Sequence, residues 1–194
     1  MERFVLILLI IFGIIITLIH FQNKSSELTY VPSDKDDNKY LVRNVEDKKN
    51  AANTLSEVCR RNELLIEHLR KNNKFGQLVA RYNSRNISES MASSNYTSYS
   101  VNKGDKIVLC IRDKSKSGKI IDINTIMFVD IHELAHIETK SIGHTPEFWD
   151  NMKKLLVISE TIGIYKGEDY SARPKKYCGL TISNTPLYDD PDYK

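Results

Sequence analysis

The chain has 194 residues, of which 28 are basic and 25 acidic, so that its net charge at pH 7 is +3. This mild excess does not favour nucleic-acid binding, which calls for a stronger basic patch. Cys59, Cys110 and Cys178 have no metal-like spacing. They favour buried free thiols, with one disulfide and a spare thiol as the alternative.

Residues 4–21 form an uncharged run that contains a single glycine. As a helix that rises 1.5 Å per residue it would be about 27 Å long, enough for a thin bilayer. The run is apolar on every face and is followed by no small-residue cleavage site. We therefore predict that residues 1–21 are an uncleaved signal anchor with one transmembrane helix, which makes the chain a single-pass membrane protein of open orientation.

A polar segment separates the predicted anchor from a folded domain. Residues 22–39 are polar and charged and include Pro32, which predicts a tether. The domain is predicted to span residues 40–194, a length suited to a single core. Its first residues, 40–43, predict a short strand, and residues 45–72 predict a long amphipathic helix.

The middle of the domain carries turn and strand signals. Residues 74–98 are rich in serine and asparagine and predict surface turns. The β-prone runs around a turn at residues 102–105 predict a hairpin or two adjacent strands. An edge strand beside an active-site helix can pair with an extended peptide. Residues 106–111 are the candidate for that strand, with packing in the core alone as the alternative.

The most informative pattern is H-E-x-x-H at His132, Glu133 and His136. The run before it, residues 123–131, contains no proline or glycine and has an apolar stripe at helical spacing, with Asn124 as the predicted N-cap. Histidines four residues apart lie on one helical face and can converge on one ion. The carboxylate between them can then take a proton from water there.

A four-coordinate catalytic zinc needs a third protein ligand. His144 is preferred because it follows Gly143, where a helix can end and the chain can turn back. Glu147 and Glu160 are the alternatives, whereas Glu138 points to a different helical face.

A second helix is predicted directly after His144. Thr145 suits its N-cap and Pro146 its first helical position. The apolar residues that follow repeat at helical spacing as far as Glu160. Phe148 and Trp149 are predicted to pack in the core beneath the histidines rather than to bind substrate.

The stretch from His132 to Trp149 resembles the WLM/SprT-like group of zinc metallopeptidases. These families pair H-E-x-x-H with a downstream histidine and a short acidic and aromatic segment. With segments 99–104, 107–110 and 177–182, the chain is similar to WLM-like metallopeptidases of large nucleocytoplasmic DNA viruses. The resemblance implies a compact zincin-like α+β domain. It also implies zinc (Zn2+) bound by His132, His136 and His144, with Glu133 as the general base.

The predicted function is that of a metalloendopeptidase acting on protein or peptide substrates. Zinc would lower the pKa of its water, and Glu133 would take the proton and deliver it to the leaving amine. Tyr165 and Tyr170 are candidate donors to the oxyanion. Two other functions stay open: a zinc-bearing structural protein of a virion or membrane that does not use the site, and a DNA-associated protease that processes crosslinked proteins.

Overall fold

The computed structural model describes residues 2–24, 26–113 and 118–188. The first half of the chain contains α1 (Glu2–Lys24), β1 (Leu28–Pro32), β2 (Lys39–Arg43), α2 (Lys48–Lys71), α3 (Gly76–Arg81), a 3-10 turn (Ser84–Asn86) and β3 (Ile87–Glu89). The second half contains β4 (Tyr99–Val101), β5 (Lys106–Leu109), α4 (Ile123–Glu138), α5 (Pro146–Thr161), β6 (Lys175–Tyr177) and β7 (Leu180–Ile182). This mixture of helices and strands confirms the predicted α+β class.

Five of the strands form one mixed sheet in the order β1-β2-β3-β5-β4. The β2–β3 and β3–β5 pairs are parallel, whereas β1–β2 and β4–β5 are antiparallel. The helix α2 connects β2 to β3, as a parallel pair requires. The strands β6 and β7 form a separate antiparallel hairpin.

The predicted tether is wrong in its second half, because β1 lies within it. Residues 28–32 pair with β2 in the register Leu28 to Arg43 and Pro32 to Lys39. The charged residues 34–37 form the turn between the two strands, which is closed by a hydrogen bond from Ser33 N to Asn38 O. A strand of only five residues offers too few positions to show the alternation of apolar and polar residues by which strands are recognised.

The helix α1 extends past both ends of the uncharged run at residues 4–21. Its apolar side chains between Ile7 and Ile16 are about half exposed. Within the described part of the chain, no helix is both long enough and apolar enough to cross a membrane. The predicted transmembrane helix is therefore not confirmed.

Among the other elements, the long helix α2 and the β4–β5 hairpin were predicted, whereas two short elements were missed. The helix predicted over residues 45–72 is confirmed as α2, and the hairpin predicted around the turn at residues 102–105 is confirmed as β4 and β5. Residues 74–98, predicted as surface turns, also contain α3 and β3. These two elements have six and three residues, too few to show a period.

The core lies between the sheet and the helices α2 and α4. The helix α2 contacts β1, β2, β3 and α4, while α4 contacts β4, β5, α3 and α5. Both helices contribute fully buried side chains, among them Leu55, Leu65, Leu69, Ile126, Ile131 and Leu134. Burying each such side chain stabilises the fold by about 1.5–3 kcal/mol, which holds α4 firmly against the sheet.

A buried group of charges lies at one end of the sheet. Glu89 accepts hydrogen bonds from the backbone N–H of Arg43 at 2.7 Å and from Nε of Arg112 at 2.8 Å. Arg112 also reaches Asp47, just before α2, at 2.5 Å. Burial raises the pKa of Glu89, while the two arginines oppose that rise. The group joins β2, β3, the segment after β5 and the start of α2.

The cysteines do not match the favoured prediction of free thiols. Cys110 and Cys178 form a disulfide, and Cys59 is free and buried. Cys110 follows β5, and Cys178 lies in the turn between β6 and β7. The bond therefore ties the β6–β7 hairpin to the main sheet. The pairing depends on two segments 68 residues apart, which sequence spacing alone does not reveal.

Candidate active site

The helix α4 carries both histidines of the H-E-x-x-H pattern. Its N-cap is Asp122, whose Oδ1 accepts a hydrogen bond from the backbone N–H of Thr125 at 3.0 Å. The predicted cap, Asn124, is wrong, because its side-chain amide bonds the backbone of Lys166 in both directions at 2.8 Å. The cap and the buried apolar side of α4 fix where the helix begins and how it is rotated.

Three histidines converge at one point, as predicted. The ring centroids of His132 and His136 are 4.9 Å apart. The ring centroid of His144 lies 4.9 Å from that of His132 and 5.0 Å from that of His136. The Nε2 atoms of His132 and His144 are 3.0 Å apart. One nitrogen from each ring lies within 4.8 Å of the others, an arrangement that could hold a metal ion.

The chain reaches His144 through a sharp turn after α4. The helix ends at Glu138 with Thr139 as its C-cap, and Gly143 adopts a φ of +84°. This left-handed conformation is one that glycine adopts without steric cost. Thr145 then caps α5, and Pro146 is its first residue, as predicted. The turn thus places His144 opposite the helical pair.

Phe148 packs against all three histidines from the core side of the site. It is fully buried, and its ring centroid lies 4.8 Å from His132, 4.3 Å from His136 and 4.8 Å from His144. Trp149 is half-buried against the core, with its ring 5.6 Å from that of His144. The prediction that both residues pack beneath the histidines is confirmed.

The environment keeps the two helical imidazoles neutral. Burial, followed by the neighbouring histidines, lowers the pKa of His132 to about 3. Burial likewise lowers the pKa of His136 to about 4, with further contributions from His144 and Lys103. Neutral imidazole is the form that binds metal ions, since its free lone pair is the ligand.

Glu133 lies in the same cleft as the histidines. It is 5% exposed, and burial raises the pKa of its carboxyl group to about 7. Hydrogen bonds from the side chain and backbone of Ser100 oppose that rise. A carboxyl group whose pKa is near neutrality can both accept and release a proton at physiological pH.

The alternative ligands lie outside the histidine cluster. Glu138 accepts a hydrogen bond from the backbone N–H of Leu78 at 2.7 Å, on another face of α4. Glu147 accepts bonds from the loop before His144, and Glu160 accepts one from the N–H of Gly167 at 3.0 Å. Of the acidic, histidine and cysteine residues in the described ranges, only the three histidines form a group that could hold a metal.

The two tyrosines considered as oxyanion donors are core residues. Tyr165 and Tyr170 are buried, and both pack their rings against Phe128. Neither lines the cleft that contains the histidines. A tyrosine's place in the chain carries no information about where its hydroxyl points, so sequence reasoning could not place them.

One wall of the cleft is β4. Of the two alternatives for residues 106–111, the structure confirms packing in the core and not the edge strand. The strand β5 lies between β3 and β4, so its backbone is paired on both sides. Among the described strands, β4 has β5 as its sole neighbour and forms the edge. The cleft has a volume of about 420 Å³ and lies between β4 and the loop that carries Gly143 and His144.

Sequence reasoning missed two residues of this cleft, Ser100 and Lys103. Ser100 bonds Glu133 from the edge strand. Lys103 donates hydrogen bonds to three carbonyl oxygens at the end of α4 and just after it. The turn signal at residues 102–105 located Lys103 in a loop but gave no indication that it contacts α4.

The fold and the cluster together define the class of protein. A mixed sheet, an H-E-x-x-H helix beside its edge strand and a third histidine from the next loop make a metallopeptidase-like domain. The model of the WLM domain matches residues 35–186. The chain therefore belongs to the WLM domain family.

Two viral proteins and one solved structure are similar to this chain. An uncharacterised protein of Acanthamoeba polyphaga mimivirus is 38% identical over 197 residues, which cover 96% of this chain and 100% of the relative. An uncharacterised protein of Invertebrate iridescent virus 6 is 36% identical over 108 residues, covering 54% of this chain and 58% of the relative. A crystal structure of a Wss1 mutant from Saccharomyces cerevisiae is similar with a TM-score of 0.50 and 20% identity, covering 64% of this chain and 91% of that one. This last similarity concerns the fold alone.

Proposed function

We propose that this chain is a zinc-dependent metallopeptidase that hydrolyses peptide bonds. The observation that carries the proposal is the convergence of three histidine nitrogens within 4.8 Å in the same cleft as a buried glutamate. This is the donor set of a catalytic zinc site, three protein ligands with a further position left for water or substrate.

The three histidines fit a zinc ion in both spacing and charge. Tetrahedral zinc with nitrogen ligands at 2.0–2.1 Å places those nitrogens about 3.3 Å apart. His132 and His144 already lie at 3.0 Å, and His132 and His136 have depressed pKa values that keep them neutral. We assign His132, His136 and His144 as the ligands. A bound zinc would supply a Lewis acid that polarises the peptide carbonyl and acidifies water.

The chain's own residues supply the proton transfers. Glu133 lies one residue from His132 and its pKa is raised to about 7. It accepts the proton of the attacking water and returns it to the leaving amine. Ser100 holds the carboxylate in place from β4 through its hydroxyl and its backbone N–H.

The edge strand supports an extended peptide or protein as the substrate. In an antiparallel pair, successive residues point their backbone groups alternately toward and away from the partner strand. Ser100 directs its N–H to Glu133 rather than to β5, so the outer edge of β4 faces the cleft. A peptide lying along that edge would be bound by backbone hydrogen bonds beside Glu133.

The test combines metal content with proteolysis. We expect the purified chain to hold one zinc ion and to cleave an unfolded protein, with cleavage lost on adding a chelator and restored by zinc. His144→Ala should lose the zinc, whereas His68→Ala, a half-buried histidine of α2 outside the cluster, should keep it. A chain without zinc would contradict the proposal.

The same assay separates the two other functions. Zinc at full occupancy without cleavage of any unfolded protein would favour a structural role. Cleavage that needs DNA and falls steeply with salt would favour a crosslink-processing protease.

We propose separately that residues 4–21 anchor the chain in a membrane, as a single-pass protein. The support is the uncharged run itself, with exposed apolar side chains along α1. After expression in cells, the full-length chain should stay in the membrane pellet during alkaline carbonate extraction. Release into the supernatant would contradict the anchor and leave the catalytic proposal unaffected.

A further inference from the structure

The loop between α4 and α5 carries the third histidine and is held from one side by a lysine. Nζ of Lys103 donates hydrogen bonds to the carbonyl oxygens of His136 at 2.9 Å, Thr139 at 2.5 Å and Ser141 at 3.2 Å. These carbonyls lie at the C-terminal end of α4 and just after it, where the helix dipole favours a positive charge. One ammonium group thus links the helix that carries two histidines to the loop that carries the third.

A glutamate holds the same loop from the other side. The carboxylate of Glu147, in the first turn of α5, accepts hydrogen bonds from the backbone N–H groups of Lys140 at 3.2 Å and Ser141 at 3.3 Å. It also accepts one from the hydroxyl of Ser141 at 2.8 Å. Lys103 therefore binds carbonyl groups of the segment before His144, and Glu147 binds its N–H groups.

Lys103 reaches this position from a strained turn. Asn102, Lys103 and Gly104 have φ values of +46°, +56° and +108°. A hydrogen bond from Gly104 N to Val101 O closes the turn, so Asn102 and Lys103 are its two central residues. In a hairpin turn with positive φ at both central residues, the second is commonly glycine, because glycine has no Cβ to clash. Here that second residue is a lysine. Its backbone conformation is unfavourable on its own and persists because surrounding contacts support it.

Those supporting contacts come from three directions. Arg81 donates to the carbonyl of Lys103 at 2.6 Å and to that of Asn102. The amide of Asn86 donates to the carbonyl of Gly104 at 3.0 Å. A Cβ on Gly104 would lie 3.2 Å from Cδ1 of Ile137, so the turn packs closely against α4. The turn therefore holds Lys103 at a fixed place against the end of that helix.

We infer that Lys103 and Glu147 are positioning residues that preorganise His144 for metal binding. The inference rests on the proposed zinc site. His144 is exposed and follows a glycine, so apart from the ring contacts with Phe148 and Trp149 its position depends on the loop before it. Without the two charged contacts the loop would have to be ordered when the ion binds, and that ordering would weaken the affinity.

The test measures metal affinity and folding separately in the full-length chain. The probe is Co2+, titrated into metal-free protein in competition with a chelating dye, at a temperature where every variant is folded by circular dichroism. We expect Lys103→Met and Glu147→Gln to weaken Co2+ binding about 10–100-fold, as loss of supporting groups around a metal site does. Lys103→Arg keeps the donors and should restore part of the affinity. Lys106→Met, which removes an exposed lysine from the start of β5, should change nothing.

Lys103→Gly separates positioning from simple stabilisation. Glycine is the residue that this turn position favours, which offsets part of the stability lost with the three ammonium contacts, so metal-free Lys103→Gly should unfold at a higher temperature than metal-free Lys103→Met. Its Co2+ affinity should nevertheless fall as far as that of Lys103→Met. Wild-type Co2+ affinity in Lys103→Met and Lys103→Gly, while His144→Ala loses the metal, would overturn the inference and leave the zinc site standing. Failure of the wild-type chain to bind Co2+ or zinc would instead overturn the proposed function.

Discussion

Replacing Glu133 by glutamine is expected to abolish peptide hydrolysis and to leave zinc binding intact. The side chain is nearly isosteric, and Glu133 is not part of the converging histidine group. Glutamine cannot accept the proton that the buried carboxylate, with its pKa raised to about 7, is placed to take. Loss of a general base lowers turnover by about 10²–10⁴-fold. The measurement is the cleavage rate of an unfolded protein, made beside the zinc content of the same preparation.

The control for Glu133→Gln is Glu138→Gln on the same helix. Glu138 bonds the backbone of Leu78 and does not line the histidine cleft, so its loss should leave the turnover rate nearly unchanged. If Glu133→Gln keeps its zinc and cleaves at the wild-type rate, Glu133 is not the general base. If it loses its zinc instead, the carboxylate supports the site rather than the proton transfer.

Phe148→Ala is expected to destabilise the fold and to loosen the metal site together. The ring is fully buried and lies within 4.8 Å of all three imidazole rings, between centroids. Its removal leaves a cavity at the junction of α4 and α5 and should cost about 3–5 kcal/mol of unfolding free energy. Denaturant unfolding of the metal-free protein measures that cost, and Co2+ titration of the folded variant measures the effect on the histidines.

Two control variants separate the Phe148 contact with the histidines from general destabilisation of the domain. Phe148→Leu keeps most of the volume and should cost less, about 1.5 kcal/mol or below. Leu155→Ala opens a cavity in the same helix, where the side chain is fully buried, and should cost about 2–5 kcal/mol without changing Co2+ affinity. An equal loss of affinity in Leu155→Ala would mean that general softening of the domain, and not the Phe148 contact, affects the site.

Local patterns predicted the central helices well. The apolar stripe and H-E-x-x-H spacing of α4, and the Thr145-Pro146 start of α5, depend on residues a few positions apart. Such signals act through helix geometry and capping, which are properties of short segments. The cap at Asp122 was missed by two residues because Asn124 has the same capping chemistry but is used in a tertiary contact with Lys166.

Short strands and distant contacts could not be predicted in the same way. The strand β1 looked like a tether, and β5 looked like the edge, because strand order depends on which segments meet in the sheet. The disulfide between Cys110 and Cys178 and the contact of Ser100 with Glu133 join residues far apart in the chain. No local pattern reports such pairs.

By itself, the sequence located the residues of the proposed site: three histidines, one glutamate and the helices that carry them, all encoded within residues 123–161. The tertiary structure decided how those residues are held. It placed β4 beside Glu133, packed Phe148 under the histidines and brought Lys103 onto the loop before His144. The physical reason is how far apart in the chain the interacting residues lie. Ligand type and helical phase are properties of neighbouring residues, whereas burial, pKa and loop support arise only when distant segments pack together.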